Sequence, residues 1–210
     1  MSDQQRQIYQ TDGDRYEALI AREDYMGNIE KALDEIINVD GLDVLDLGAG
    51  TGRLAVMFAP RARSMRAFDV SEEMLRVCRT RFEASGLSNW KVDVADHRQL
   101  PVNDSSADLV VSGWSVSYLA VWNPETWRAE LEKWLGEMKR VLAPGGRLLI
   151  LHTDSSRSLN LLHGRLDGAV NRDFLPPVGA VAPLLEETGL CVLRAEENDS
   201  LYWLEARKPS

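Results

Sequence analysis

Val44-Leu45-Asp46-Leu47-Gly48-Ala49-Gly50-Thr51-Gly52-Arg53-Leu54 is the stretch on which the reading of this chain turns. Alternating apolar residues run into a carboxylate, three glycines at every second position make a tight turn, and a helical pattern begins at Arg53. Glycine reaches positive φ without Cβ strain and lets another molecule approach the backbone. The N–H groups at the start of the following helix add free donors and partial positive charge. Ligands of open α/β sheets bind beyond the carboxyl ends of the strands, so this turn is a candidate binding site. The hydride-transfer fingerprint G-x-G-x-x-G is not met, because Arg53 stands where the third glycine belongs. A G-x-x-x-x-G-K-[ST] phosphate loop is absent as well. A plain structural turn is the competing reading.

The pattern on either side predicts the architecture. Residues 1–12 are polar and are expected to fray. Residues 24–39 carry Met26, Ile29, Leu33, Ile36 and Ile37 at helical spacing. Beyond the turn, residues 64–69 read as a strand, and Ser71 before Glu72 and Glu73 reads as a helix start. That helix stops near Gly86. Residues 90–95 and 108–112 are further strands. Asn123-Pro124 reads as the opening of a long helix to Leu142, since Asn caps and Pro suits the first helical position. Pro144-Gly145-Gly146 then turns into a strand over 147–152. This alternation predicts a parallel sheet covered on both faces. Residues 153–177 are irregular and too long for a bare connection. A helix near 181–188 and strands over 190–195 and 201–206 close the chain as an antiparallel hairpin at a sheet edge. The reading is a single domain over 1–210, with 1–40 as an N-terminal helical cap and 153–177 as a candidate lid.

Composition narrows the function classes. The chain has 210 residues, 44% hydrophobic and 27% charged, which suits a folded domain rather than a disordered one. Its net charge of −9 disfavours broad contact with nucleic acid or an anionic membrane. Cys78 and Cys191 are the two cysteines, so neither a disulfide framework nor a cysteine zinc site is expected, and no metal is. No apolar run approaches the roughly 20 residues of a membrane span. The start lacks a signal-peptide core, and a cytoplasmic protein is expected.

Successive strand ends carry polar or small residues. Asp69 lies 19 residues beyond Gly50, where a carboxylate can accept hydrogen bonds from both hydroxyls of a ribose. Asp96-His97 follows the third strand and Ser112-Gly113-Trp114 the fourth. With these residues in view, the chain resembles the class I S-adenosylmethionine-dependent methyltransferases, especially small bacterial ones. VLDLGAGTGRLA (44–55) is similar to the family's first motif, AFDVSEEML (67–75) to its second and DVADHRQLPV (93–102) to its third. DLVVSGWSVSYL (108–119) resembles the fourth and LAPGGRLLIL (142–151) the fifth.

The resemblance implies a Rossmann-like, doubly wound α/β fold: a seven-stranded sheet of order 3-2-1-4-5-7-6, last strand antiparallel, in three α/β/α layers. It also implies roles. Asp46 would hold the amino group of S-adenosylmethionine, directly or through water, while Gly48 and Gly50 make room for its methionine and ribose portions. Asp69 would take the ribose hydroxyls. Val70 and Met74 would pack on the adenine, Asp96 would accept from its amino group, and the His97 amide would serve a ring nitrogen. Ser112 and Gly113 would offer backbone carbonyls. Each has a plainer reading: a capping carboxylate for Asp46, a helix start shared with Ser71 for Asp69, core packing for Met74, a polar loop for Asp96.

Trp114 and Tyr118 lie where such proteins meet their acceptor, and an aromatic face near a sulfonium gains cation–π attraction. Arg22 and Tyr25 are candidates to cover the site. The candidates for proton removal are His152, at the end of the fifth strand, and Tyr118; His163 lies in the irregular segment. Methyl transfer is an in-line displacement from an activated donor to give S-adenosylhomocysteine, so positioning and desolvation matter most and no fixed triad is expected. An Asn-Pro-Pro-Tyr-like segment, a Pro-Cys nucleophile and a cysteine trio are all missing, which leaves a small-molecule acceptor as the expectation and a protein or tRNA group as the alternative acceptor. The alternatives are a cofactor-binding regulatory module without transferase activity and a nicotinamide-dependent oxidoreductase, the latter disfavoured by Arg53.

Overall fold

The computed structural model describes residues 9–20, 28–123, 125–152, 178–197 and 202–210. In chain order the elements are α1 (Gly13–Ile20), α2 (Asn28–Ile36), β1 (Asp43–Leu47), α3 (Arg53–Phe58), β2 (Ser64–Asp69), α4 (Glu72–Ser85) and β3 (Trp90–Val94). There follow β4 (Ala107–Gly113), α5 (Ser117–Trp122), α6 (Trp127–Val141), β5 (Leu142–His152), α7 (Val178–Glu187), β6 (Cys191–Glu197) and β7 (Tyr202–Arg207). The sheet order is β3-β2-β1-β4-β5-β7-β6. Strands β1 to β5 pair parallel, and β7 runs antiparallel to both β5 and β6. The expected order and the direction of the last strand are both present.

Period-two alternation divides the strand residues between two cores. Val44, Met65, Ala67, Leu109, Val111, Leu149 and Leu151 face one side, against α2, α3 and α4. Leu45, Leu47, Phe68, Val110, Leu148 and Ile150 face the other, against α5, α6 and α7. Both sides are covered, so the strands read as almost unbroken apolar runs. All four strand ends that carry polar residues therefore emerge at one edge.

Two local expectations needed correction. Asn123 does not open the long helix. Its side-chain amide donates to the Leu119 carbonyl at 3.0 Å, closing α5, and α6 begins only at Trp127 after Thr126. Nor is the whole of 1–12 frayed: residues 9–11 are helical and Tyr9 is packed against β2. The helix expected over 24–39 is seen as α2, with residues 21–27 outside the described set. Residues 153–177, including His163, also lie outside it, as do Arg22 and Tyr25. No described helix is long and apolar enough to cross a membrane.

Candidate functional site

The glycine turn folds as its sequence requires. Gly48 and Gly50 have φ of +67° and +56°, a region costly for residues with a Cβ. A Cβ on Gly48 would lie 2.2 Å from the Ser115 Cβ, so the loop after β4 presses directly on the turn. That contact is fixed by a directional chain: Ser115 Oγ donates to the Leu47 carbonyl at 2.7 Å, and Ser112 Oγ lies 2.7 Å from Ser115 Oγ. Ser112 is fully buried and uses its side chain for this tie. At Gly50, by contrast, a Cβ would meet no atom within 4 Å.

Two buried carboxylates flank the turn. Asp46 is 2% exposed, and its Oδ2 accepts the Ala55 amide at 3.0 Å, capping the first turn of α3. Burial pushes its carboxyl up to about 7, with the charge of Asp69 adding to the rise. Asp69 is 3% exposed. Its Oδ2 accepts the Gly50 amide at 2.9 Å and the Tyr9 hydroxyl at 2.5 Å, and its Oδ1 accepts the Ser71 amide at 2.9 Å. Burial raises its pKa, and the bonds from Tyr9, Ser71 and Gly50 pull the other way.

The Asp46 value sets a pH test. An aspartate whose folded pKa exceeds its unfolded value contributes stability below about pH 4 that is lost as pH rises through about 7. Asp46→Asn keeps an acceptor for Ala55 and removes the ionisation. The urea midpoint of the variant should therefore gain on that of the parent between pH 4 and 7. His97, held down to about 4 by burial, acts oppositely over the same window. The difference between the two proteins is thus the informative quantity, and a difference constant with pH would overturn the assignment.

A partly open cleft lies at the strand ends. Tyr9, Gly48, Asp69, Val70, Ala95, His97, Ser115, Tyr118, Leu119 and Trp122 line it. Among the expected site residues, the fold thus brings Gly48, Asp69, Val70, His97 and Tyr118 together. Others stand apart. Met74 is fully buried in α4. Asp96 turns to Arg98, whose backbone amide and guanidinium reach Asp96 Oδ1 at 2.8 and 2.9 Å, holding the carboxyl at about 2. Arg98 also pairs with Glu130. Trp114 has φ +55°, donates its amide to Leu151 and lies under the Arg53 guanidinium, 5.3 Å from the ring centroid. His152 ends β5 opposite Tyr202; its side chain lies outside the described set. Among the described residues no cluster could hold a metal ion.

The sequence reading missed five lining residues, Ala95 beside His97 among them. Trp122 stacks on Tyr118 at 5.5 Å, four positions along one helix, a spacing visible in the sequence. Leu119 and Ser115 belong to the same short segment. Tyr9 carries no such signal.

Known proteins resemble this chain in sequence and in fold. The family model described as "Methyltransferase domain" matches residues 44–146. The chain is 36% identical over 123 residues to the demethylmenaquinone methyltransferase of Thermus thermophilus, covering 58% of this chain and 51% of that protein. It is 34% identical over 168 residues to the malonyl-[acyl-carrier protein] O-methyltransferase of Hahella chejuensis, covering 76% and 53%. The chain spans about half the length of these curated relatives. Among solved structures, a SAM dependent methyltransferase from Aquifex aeolicus superposes with a TM-score of 0.66 at 23% identity, over 96% of this chain and 92% of the other.

Proposed function

Because the chain belongs to the class I S-adenosylmethionine-dependent methyltransferases, we propose that it transfers a methyl group from S-adenosylmethionine to a small-molecule acceptor. One observation carries the reading. Asp69 and the Gly50 amide stand at one side of a cleft whose remaining walls are largely apolar and aromatic. A diol needs such a carboxylate, and a purine and a sulfonium need such walls. The residues fit the donor: the left-handed Gly50 leaves open the space that a side chain would fill.

When bound, S-adenosylmethionine supplies a methyl group on a cationic sulfur, already activated for displacement. What the chain adds is position and exclusion of water. Asp69 accepts the ribose hydroxyls, and Val70 and the His97 amide meet the adenine. Asp46 takes the amino group, whose charge favours the ionised form of a carboxyl otherwise raised by burial. Ser112 and Gly113 offer carbonyls. The Tyr118–Trp122 stack offers a π face to the sulfonium. Asp96 and Met74 act at one remove, Asp96 by fixing the loop that carries His97 and Met74 by packing α4. Acceptor contacts fall to Tyr118, with Trp114, Arg22 and Tyr25 as further candidates on sequence grounds. Tyr118 and His152 are the candidates for taking a proton from the acceptor.

The relatives are named for a demethylated quinone and for a malonyl carrier protein. The aromatic lining favours the flatter of these chemistries. Incubating the protein with S-adenosylmethionine and a panel of hydroquinones, phenols, carboxylates, amines and thiols should yield S-adenosylhomocysteine with at least one member, hydroquinones and phenols first. Tight binding of the donor with no turnover across the panel would favour a regulatory module instead.

A further inference from the structure

Residues 9–20 are fastened along α4 and α3, and Tyr9 at their start lines the donor cleft. Tyr9 donates its hydroxyl to Asp69 Oδ2 at 2.5 Å, and its carbonyl accepts Ser71 Oγ at 2.9 Å. Gly13 donates its amide to Glu73 Oε1 at 3.2 Å, and a Cβ there would come within 2.9 Å of Val77 Cγ2. Asp14 pairs with Arg76 at 2.5 Å and Glu17 with Arg81 at 3.0 Å, both on α4. At the far end the Ile20 carbonyl accepts Arg53 Nη2 of α3 at 3.3 Å. Tyr16 meets the Tyr9 ring edge-on at 5.6 Å and steadies it.

We propose that this segment is a strap that blocks the Asp69 end of the donor cleft in the ligand-free protein, with the Tyr9 hydroxyl standing on Asp69 where a ribose hydroxyl must stand. The inference rests on the reading of Asp69 as the ribose acid. A carboxylate oxygen offers about two acceptor positions. Those of Oδ2 are filled by the Gly50 amide, which belongs to the rigid turn, and by the Tyr9 hydroxyl, which belongs to the strap. Oδ1 already accepts the Ser71 amide, so a diol, which needs two acceptor positions, finds them only when Tyr9 leaves. The salt bridges on α4 are solvent-accessible, with Arg76 and Asp14 side chains 47% and 76% exposed, so they guide reclosure at little energetic cost to opening. The device makes the apparent donor affinity the intrinsic affinity multiplied by the open fraction.

Tyr9→Phe tests this, because it keeps the ring and removes only the competing donor. Titration with S-adenosylhomocysteine should give a dissociation constant about tenfold lower than that of the parent, the scale of one hydrogen bond to a charged group. If the variant strap is fully open, that ratio places about one parent molecule in ten in the open state. Hydrogen exchange gives a second readout without any variant: adding S-adenosylhomocysteine to the parent should speed exchange in residues 13–20 while protecting 48–52. Unchanged or weaker binding by Tyr9→Phe overturns the proposal, as does ligand-induced protection of 13–20. Absence of binding to both proteins overturns the ribose-acid reading itself, and the competition with it. Equal binding by both overturns the strap alone.

Discussion

Asp69→Asn should weaken binding of S-adenosylhomocysteine by about 1.5–3 kcal/mol, a loss of roughly ten- to 150-fold, read by isothermal titration. The carboxyl is nearly inaccessible and already oriented by the Gly50 and Ser71 amides, so its bonds to a diol are formed without reorganisation. An amide of the same size has one acceptor oxygen and turns an N–H₂ group toward donors. The variant also removes the acceptor for Tyr9, which sharpens the test. The roughly tenfold gain of Tyr9→Phe should vanish in the Asp69→Asn background, since phenol and ribose then have no common carboxylate to contest. Residues that share one network are expected to be non-additive in this way. Full additivity of the two substitutions would mean that Tyr9 and the ligand act at separate places. The fold should tolerate the change, which leaves one amide short of an acceptor, a penalty of about 1–3 kcal/mol.

Much of the fold was legible because its determinants are local. Strand parity could be read from Val44, Leu45 and Leu47 alone, and the partition of these residues between two cores follows directly. The Ser71 cap and the Gly86 stop belong to rules that operate within one helical turn, and both are present. Asn123 was misread because asparagine serves either end of a helix: the same amide that could cap α6 instead closes α5. The carboxylates divide on the same principle. Asp69 was expected to face a ribose, and its bond to the Gly50 amide 19 residues away was not foreseen. Asp96 is claimed by Arg98 two positions on, an acid and a base in one loop that the sequence displays openly. Trp114 and Tyr118 could not be separated in advance. The left-handed backbone at Trp114 turns its ring toward Arg53, while Tyr118 on α5 faces the cleft. Tyr9 was beyond reach, since its bond spans 60 residues and nothing in a short polar segment encodes it.

The largest effect on stability is expected at Gly48. Gly48→Ala puts a Cβ on a backbone with φ +67°, costing about 1–2 kcal/mol. The new Cβ falls 2.2 Å from Ser115 Cβ and 2.7 Å from its Oγ, a contact no real pair of atoms sustains. Relief requires either the turn or the β4 loop to move. Both are held, the loop by the Ser115 bond to the Leu47 carbonyl and the turn by the Ala49 amide on the Phe68 carbonyl at 2.9 Å. Overpacking of this kind adds about 1–3 kcal/mol. The sum, roughly 2–5 kcal/mol, should appear as a lowered urea midpoint at unchanged slope. Ser115→Gly deletes the obstructing Cβ but loses the buried hydrogen-bond chain, so alone it should destabilise by about 1–2 kcal/mol. Combined, the two should be less harmful than their sum by about 1–3 kcal/mol, because the second substitution removes the clash that the first creates. The backbone strain at position 48 would persist in the double variant, so rescue should be partial. Strict additivity would show that the turn and the β4 loop are not pressed together, and the close tie that joins the two walls of the cleft would have to be abandoned.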